Sequence, residues 1–295
     1  MALILILGAR GLIGRNLKAH LTMQGHEVRY FVREQRKADD ITSFYWNYER
    51  EEVDIKAFRD VDYIINLSGA NISKRWTFKY KKEIYDSRIM TLQFLYNILK
   101  KHQIRVKKII SVSGTGYYGD TLEQHCTETS ATGKDFLAMV CRDWEDAANK
   151  FNEMKISTCI LRLGVVMSLK GGFIPRIATP MRFFVGTHLG TGKQVVSWIS
   201  LNDACRLFEH VIEKNLVGTY NATSSNPLSL EEIDNSIAQF YHRKIWLPNV
   251  PTKLVKLLLG EMSAIVLSSC WTDNNRIKNT GFTFQEEQFD HCLRY

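Results

Sequence analysis

Apolar residues follow two rhythms along this chain. Short, nearly unbroken runs, LILIL (3–7), EVRYFV (27–32), DYIINL (62–67), KKIISVS (107–113) and TCILRLGVV (158–166), alternate with longer stretches near 12–24, 77–101 and 136–153 that carry helical patterns. A run that is apolar throughout, rather than at every second position, predicts a strand covered on both faces. Repeated strand–helix–strand units of this kind predict a doubly wound α/β fold around a parallel sheet. After about residue 170 the rhythm changes. GGFIPRIATPMRFFVG opens an irregular helical segment, and helices are expected at 201–214 and 229–242, a short strand at 218–222, and one amphipathic helix over 250–267 before GFTF (281–284). The chain therefore divides into an α/β domain over 1–170, with some later segments returning to its sheet, and a smaller, mainly helical region over 171–295. No low-complexity linker separates the two, so a ligand cleft between them is expected.

The turn between the first strand and the first helix reads LGARGLIG, with Gly8, Gly11 and Gly14 at intervals of three. Glycine there permits a tight turn, close approach of backbone to a pyrophosphate, and close helix–strand packing. The helix beginning near Leu12 and Ile13 would present unpaired N–H groups and a partial positive charge to phosphates. Dinucleotide binding follows from the motif standing between strand and helix; a turn that uses glycine for packing alone is the alternative. An acidic residue at the end of the second strand would grip an unphosphorylated ribose. This chain has Arg33 there, with Arg36 and Lys37 just beyond and Arg10 one loop away. Guanidinium groups suit a ribose 2′-phosphate, which favours NADP(H), although Glu34 opposes this slightly. The glycine–lysine stretch GTHLGTGKQ (186–194) has the wrong spacing for a P-loop.

Composition excludes more than it selects. The 295 residues are 45% hydrophobic and 24% charged, as expected of a folded globular chain. A net charge of +8 permits attraction to anions of many kinds without choosing among them. Cys126, Cys141, Cys159, Cys205, Cys270 and Cys292 are scattered without a C-x-x-C pair, which favours reduced thiols and a cytoplasmic location. The histidines form no ligand cluster, so no metal is expected. No apolar stretch reaches the length of a membrane span or a signal-peptide core, and no membrane partner is expected. RWTFKYKKEIYDSR (75–88) mixes aromatic and basic residues in a way that nucleic acids also use. A solvated helix face beside a pocket loop accounts for it better, so no nucleic-acid partner is expected.

Several stretches in register, GARGLIG, INLSGANISKRW (65–76), KEIYDSRI (82–89), SVSGTGYYGD (111–120), DFLAMVCRDWE (135–145), LRLGVVMSLKGG (161–172), GTGKQVVSWISLND (190–203) and LLLGEMS (257–263), resemble the atypical short-chain dehydrogenase/reductases of the NAD-dependent epimerase/dehydratase-like kind, which include the cell-division-inhibitor homologues. The resemblance covers nearly the whole chain. It implies a Rossmann fold of the extended type with a small C-terminal substrate-side domain. It also implies nucleotide contacts at the glycine loop, Arg33, Leu67, Ser68, Glu83, Arg88 and Val166. This chain departs from the pattern at Arg10, where threonine or serine is common; the change favours NADP(H) further.

Ordinary members of that superfamily use Tyr-x-x-x-Lys with a strand-end serine, the lysine lowering the tyrosine pKa. Aligning the relevant helix on Glu145 places Leu137 and Cys141 at the two positions, and sliding by one gives Phe136 and Val140. Neither register supplies the dyad. Ser113 remains at the end of its strand, with Tyr117 and Tyr118 following as candidate proton donors or as residues that shape the pocket. Arg75 and Trp76 are candidate substrate contacts, Trp198 is either a substrate contact or core, and Asp203 is expected to cap or pair at a helix start. The expected function is an NADP(H)-dependent oxidoreductase or epimerase-like enzyme exchanging hydride with a carbonyl or alcohol carbon. The alternative is a non-catalytic NADP(H)-binding sensor or interaction protein.

Overall fold

The apolar runs fold as strands β1 (Leu3–Leu7), β2 (Glu27–Val32), β5 (Tyr63–Asn66), β6 (Lys108–Gly114) and β8 (Ser157–Leu163) in a computed structural model that describes residues 1–33 and 41–294. Glu34, Arg36 and Lys37 lie outside the described residues. Two short strands, β3 (Ser43–Asn47) and β4 (Glu52–Val53), precede β5, and β12 (Gly218–Ala222) joins the far edge. Among the described residues the main sheet has eight strands in the order β12-β8-β6-β5-β1-β2-β3-β4. All pairs are parallel except β3 with β4.

Helices cover both faces, which is why the strands carry apolar side chains on both sides. Helix α1 (Leu12–Met23) lies with α5 (Leu201–Glu213), while α2 (Phe78–Lys101) lies with α3 (Phe136–Asn149). Leu17 and Leu21, four apart, form the buried stripe of α1. Thr77 and Asp135 cap α2 and α3 by accepting from Tyr80 N (3.1 Å) and Ala138 N (2.9 Å). Because sheet order reverses about β1, the β1–α1 and β5–α2 connections diverge and open a crevice at the strand C-termini.

Several boundaries differ from expectation. The apolar run 158–166 breaks at Gly164, after which β9 (Val165–Met167) leaves the main sheet and pairs with β11 (Trp198–Ser200). The single helix expected over 250–267 is two, α7 (Thr252–Leu259) and α8 (Ala264–Leu267), joined by a tight turn in which Gly260 has φ 60°. The strand β3 was not among the expected elements. Of the two roles expected of Asp203 at the start of α5, Ser200 takes the cap and Asp203 takes the pairing, with Arg206, while also accepting from Gln285 N (3.0 Å) and Glu286 N (2.8 Å).

A second, smaller core joins Met167, Trp198, Phe289 and the buried faces of α4 (Phe173–Arg182) and α6 (Leu230–Phe240). The pairing of β7 (His125–Cys126) with β14 (Trp271–Thr272) ties this region to the first, while β10 (Val195–Val196) pairs with β13 (Leu228–Ser229) within it. None of the described helices is long and apolar enough to cross a membrane.

Candidate functional site

The crevice begins at the glycine turn. Gly8 adopts φ +82°, a conformation L side chains rarely take, and a Cβ there would lie 2.6 Å from Leu67 O. A Cβ on Gly14 would lie 2.6 Å from Ala9 Cα. The turn is thus pressed against both the end of β5 and its own helix. Gly11 N donates to Gly8 O (3.1 Å), and Gly11 stands at the N-cap of α1 without a side-chain cap. Gly11, Leu12 and Ile13 line the cavity, so the first N–H groups of α1 open onto it with no intrahelical acceptor. This geometry fits the diphosphate of a dinucleotide.

The cavity measures about 500 Å³. Gly8, Gly11, Leu12, Ile13, Gly14, Leu67, Ser68, Arg88, Ser113 and Val166 all border it, drawn together from five parts of the chain. Arg88 comes from α2 and is held by its own donors, Nη1 to Ile84 O (2.9 Å) and Nη2 to Ala70 O (3.2 Å). Its guanidinium lies 5.0 Å from the ring centre of Trp144, and burial pushes its pKa down. No carboxylate pairs with it among the described ion pairs, and it borders the cavity.

Where the superfamily dyad would stand, α3 presents Leu137 and Cys141 to the cavity. The GTGYY segment packs on this face of α3: a Cβ on Gly116 would meet Leu137 Cβ at 3.5 Å and Cys141 Sγ at 3.9 Å, ordinary contact distances. Burial pushes the Cys141 thiol up to about 11, so it is not a ready nucleophile. Ser113 is 4% exposed, and its Oγ is buried without a hydrogen-bond partner, the Cys141 thiol being its polar neighbour. A buried hydroxyl left in that state is a donor awaiting an acceptor.

Other expected site residues lie elsewhere. Tyr118 is buried outside the cavity, its hydroxyl donating to Asn221 Oδ1 (2.6 Å) and accepting from Arg162 Nη1 (2.9 Å), while burial raises its pKa. It is not a proton donor to the cavity. Tyr117 stacks on Arg162, 3.5 Å from guanidinium carbon to ring centre, and does not border the cavity either. Trp198 has no exposed surface; it packs against Phe289 and donates to Asn226 O (2.7 Å), so it is core rather than substrate contact. Trp76 donates to Ile72 O (2.7 Å) and packs edge-on against Phe136, bracing the loop whose Ile72 and Ser73 do border the cavity. Arg75 and Glu83 face solvent away from the lining. Arg10 and Arg33 are exposed at the ends of β1 and β2, which are parallel neighbours with Ile6 opposite Tyr30. Both follow the C-terminal ends of neighbouring strands, and neither borders the cavity.

One cluster behind the site was not foreseen. Arg162 and Glu145 form a buried two-pronged pair at 2.8 and 2.8 Å, with side-chain exposures of 4% and 7%. Burial opposes the Arg162 charge, yet the bonds to Glu145 hold its pKa above the ordinary value. The pair links β8 to α3 and, through Tyr117 and Tyr118, to the end of β6 that carries Ser113. An arginine inside an otherwise apolar two-sided strand, LRL, was the available signal. The residues Phe173, Arg176, Ala264 and Ile265, which close the cavity on its far side, gave none beyond lying in helical segments.

The profile of the NAD dependent epimerase/dehydratase family matches residues 4–222, and that of a domain of unknown function matches residues 250–295. Epimerase family protein YfhF of Bacillus subtilis (strain 168) is 32% identical over 294 residues, covering 98% of this chain and 96% of that protein. The chloroplastic epimerase family protein SDR39U1 homolog of Arabidopsis thaliana is 33% identical over 296 residues, covering 98% of this chain and 85% of that protein. The crystal structure of human epimerase family protein SDR39U1 (isoform 2) with NADPH superposes with a TM-score of 0.85 at 24% identity, covering 99% of this chain and 98% of that one.

Proposed function

This chain belongs to the NAD-dependent epimerase/dehydratase family, and we propose that it is an NADP(H)-dependent oxidoreductase acting on a carbonyl or alcohol carbon. The Ser113 hydroxyl carries this reading: it is buried, has only the Cys141 thiol as polar neighbour, and is set at the end of β6 in a cavity that begins at a dinucleotide turn. The glycine turn and the N-terminus of α1 would hold the diphosphate, and Arg10 and Arg33 the ribose 2′-phosphate. Leu67, Ser68 and Val166 would border the cofactor, with Arg88 over its diphosphate or nicotinamide end. The NADPH in the human SDR39U1 structure supports the choice of cofactor. When bound, the reduced nicotinamide supplies a hydride for the substrate carbon.

The protein's own residues orient the substrate. Ser113 Oγ donates a hydrogen bond to the carbonyl oxygen, and Leu137 and Cys141 form the wall beside it. The oxygen takes its proton from solvent, since the described lining residues include no lysine, histidine or tyrosine. One hydride and one proton together convert a carbonyl to an alcohol. With no activated acid at hand, turnover is expected to be slow. A second reading, a sensor that binds the cofactor without chemistry, is favoured by Leu137 and Cys141 standing in the place of the dyad. The scattered, buried thiols suit a reducing compartment.

The test is calorimetric titration with NADPH and NADH, repeated with Arg33→Ala and Arg10→Ala, followed by single-turnover oxidation of bound NADPH with a panel of aldehydes and ketones. NADPH binding at least tenfold tighter than NADH, weakened in both variants, is the expected result. Oxidation that disappears in Ser113→Ala while NADPH affinity is retained supports the enzyme. Tight binding without turnover of any carbonyl supports the sensor.

A further inference from the structure

The far half of the cavity has a chemistry at odds with the sugars that epimerases act on. Its walls are Leu137 of α3, Phe173 of α4, Val195 and Val196 of β10, and Ile265 of α8. A sugar ring needs carboxylates, amides and imidazoles that bond its hydroxyls in pairs. Among the described lining residues there is no Asn, Gln, His, Tyr, Lys or Glu. The single carboxylate, Asp135, is committed to the N-terminus of α3 at 2.9 Å from Ala138 N. Ser197 is committed as well: its hydroxyl donates to Cys270 O (2.8 Å) and accepts from Thr272 N (3.0 Å). Such a wall removes apolar surface from water, and beyond the hydroxyls of Thr115 and Ser268 it offers a hydroxylated ring few partners.

One cation stands at the opening. Arg176 follows Phe173 by three residues on α4, so the two occupy one helix face, and both border the cavity. Its guanidinium is exposed and donates to Ser73 O (3.0 Å), and no described carboxylate pairs with it. Its other donors are available to an anion. The cavity therefore has an acceptor-seeking hydroxyl, Ser113, at its buried end, branched and aromatic walls between, and a guanidinium at its mouth.

We propose that the substrate is an amphiphile: an aldehyde or ketone whose apolar chain fills the far half of the cavity and whose anionic head, carboxylate or phosphate, rests on Arg176. This rests on the oxidoreductase reading, because it uses Ser113 as the carbonyl's partner. It assigns Arg176 as the residue that selects charge and the Phe173–Ile265 walls as those that select chain length.

The experiment uses the full chain saturated with NADPH, itself titrated first. Octanoate, decanoate and dodecanoate serve as probes, with decanol as the uncharged match and UDP-glucose as the sugar nucleotide. Burying each added methylene should tighten binding about fourfold, hence roughly fifteenfold per step of two carbons, at one site per chain. Decanoate should bind at least about tenfold more tightly than decanol, a margin that a single charge-assisted bond supplies. Arg176→Gln, at an exposed position, should erase that margin and leave the chain-length dependence intact. Affinity indifferent to chain length, equal binding of decanoate and decanol, or UDP-glucose binding ahead of decanoate would each overturn the inference while NADPH binding stands. Failure of NADPH to bind in the first titration overturns the oxidoreductase reading, and this inference with it.

Discussion

Replacing Glu145 by glutamine would strand a charge. Arg162 is bonded to both Glu145 oxygens at 2.8 Å, with only 4% of its side chain exposed, and its other hydrogen bonds go to the Tyr118 hydroxyl at 2.9 Å and Glu128 O at 3.2 Å. Glutamine keeps the shape and one acceptor but removes the negative charge. Breaking a buried pair in this way costs about 3–5 kcal/mol, chiefly the penalty of an uncompensated buried cation. With a urea m-value of about 3 kcal/mol/M, the unfolding midpoint should fall by about 1–1.7 M. Replacing both partners with apolar residues, Glu145→Leu with Arg162→Met, removes charge and countercharge together, and should recover most of the loss. Equilibrium unfolding followed by tryptophan fluorescence measures all three proteins. A glutamine variant within about 0.5 kcal/mol of the parent, or a double variant less stable than the single one, would refute the account of this pair.

Three further outcomes are expected. Burial raises the Asp234 carboxyl to about 6 against its hydrogen bond to His188 Nδ1 (2.9 Å), so the folded protein keeps a proton that the unfolded chain has lost; this contribution is present below about pH 4 and is lost as pH rises through 6. Asp234→Asn should therefore gain stability relative to the parent between pH 4 and 6, and a constant difference across that window in parallel urea curves would contradict it. Cys141, held near 11, and Cys159, Cys205 and Cys270, each held near 12 by burial, should react with iodoacetamide at pH 7.5 far more slowly folded than in urea, as mass spectrometry of labelled peptides would show. Gly14→Ala forces a Cβ to within 2.6 Å of Ala9 Cα, which should cost about 1–3 kcal/mol in unfolding measurements and abolish detectable NADPH binding. Binding at the parental affinity would place the diphosphate elsewhere.

The strands of the sheet centre were legible because burial on both faces leaves a plain mark: Ile64 and Ile65, or Ile109 and Ile110, are adjacent and both fully buried. The β3 strand, SFYWN, left no such mark, since it lies near the sheet edge and buries Ser43, Phe44 and Trp46 among half-covered residues. The glycine turn could be read because its chemistry is local, confined to eight consecutive residues. The far wall could not. Phe173, Val196 and Ile265 are separated by long stretches of chain, and their convergence depends on how the second core packs. Position along the chain also does not say which way a ring points. Tyr118 and Trp198 occur beside residues that do border the cavity, Gly116, Gly119 and Ser197, yet both turn inward to bond Asn221 and Asn226.

The route by which β12 reaches the sheet carries a consequence for how this protein can change. After β8 the chain leaves, supplies β9, α4, β10 and part of the second core, and only then returns through α5 to pair β12 against β8 along five residues, from Gly218 opposite Cys159 to Ala222 opposite Leu163. The sheet of the first half is therefore completed by a segment made after much of the second core. A fragment ending near residue 170 would expose the whole flank of β8 as an open edge, free to recruit strands from other chains. Neither half can be exchanged as a cassette through a single crossover between genes. New substrate preferences must arise residue by residue in the walls, within a scaffold whose two halves are inherited together.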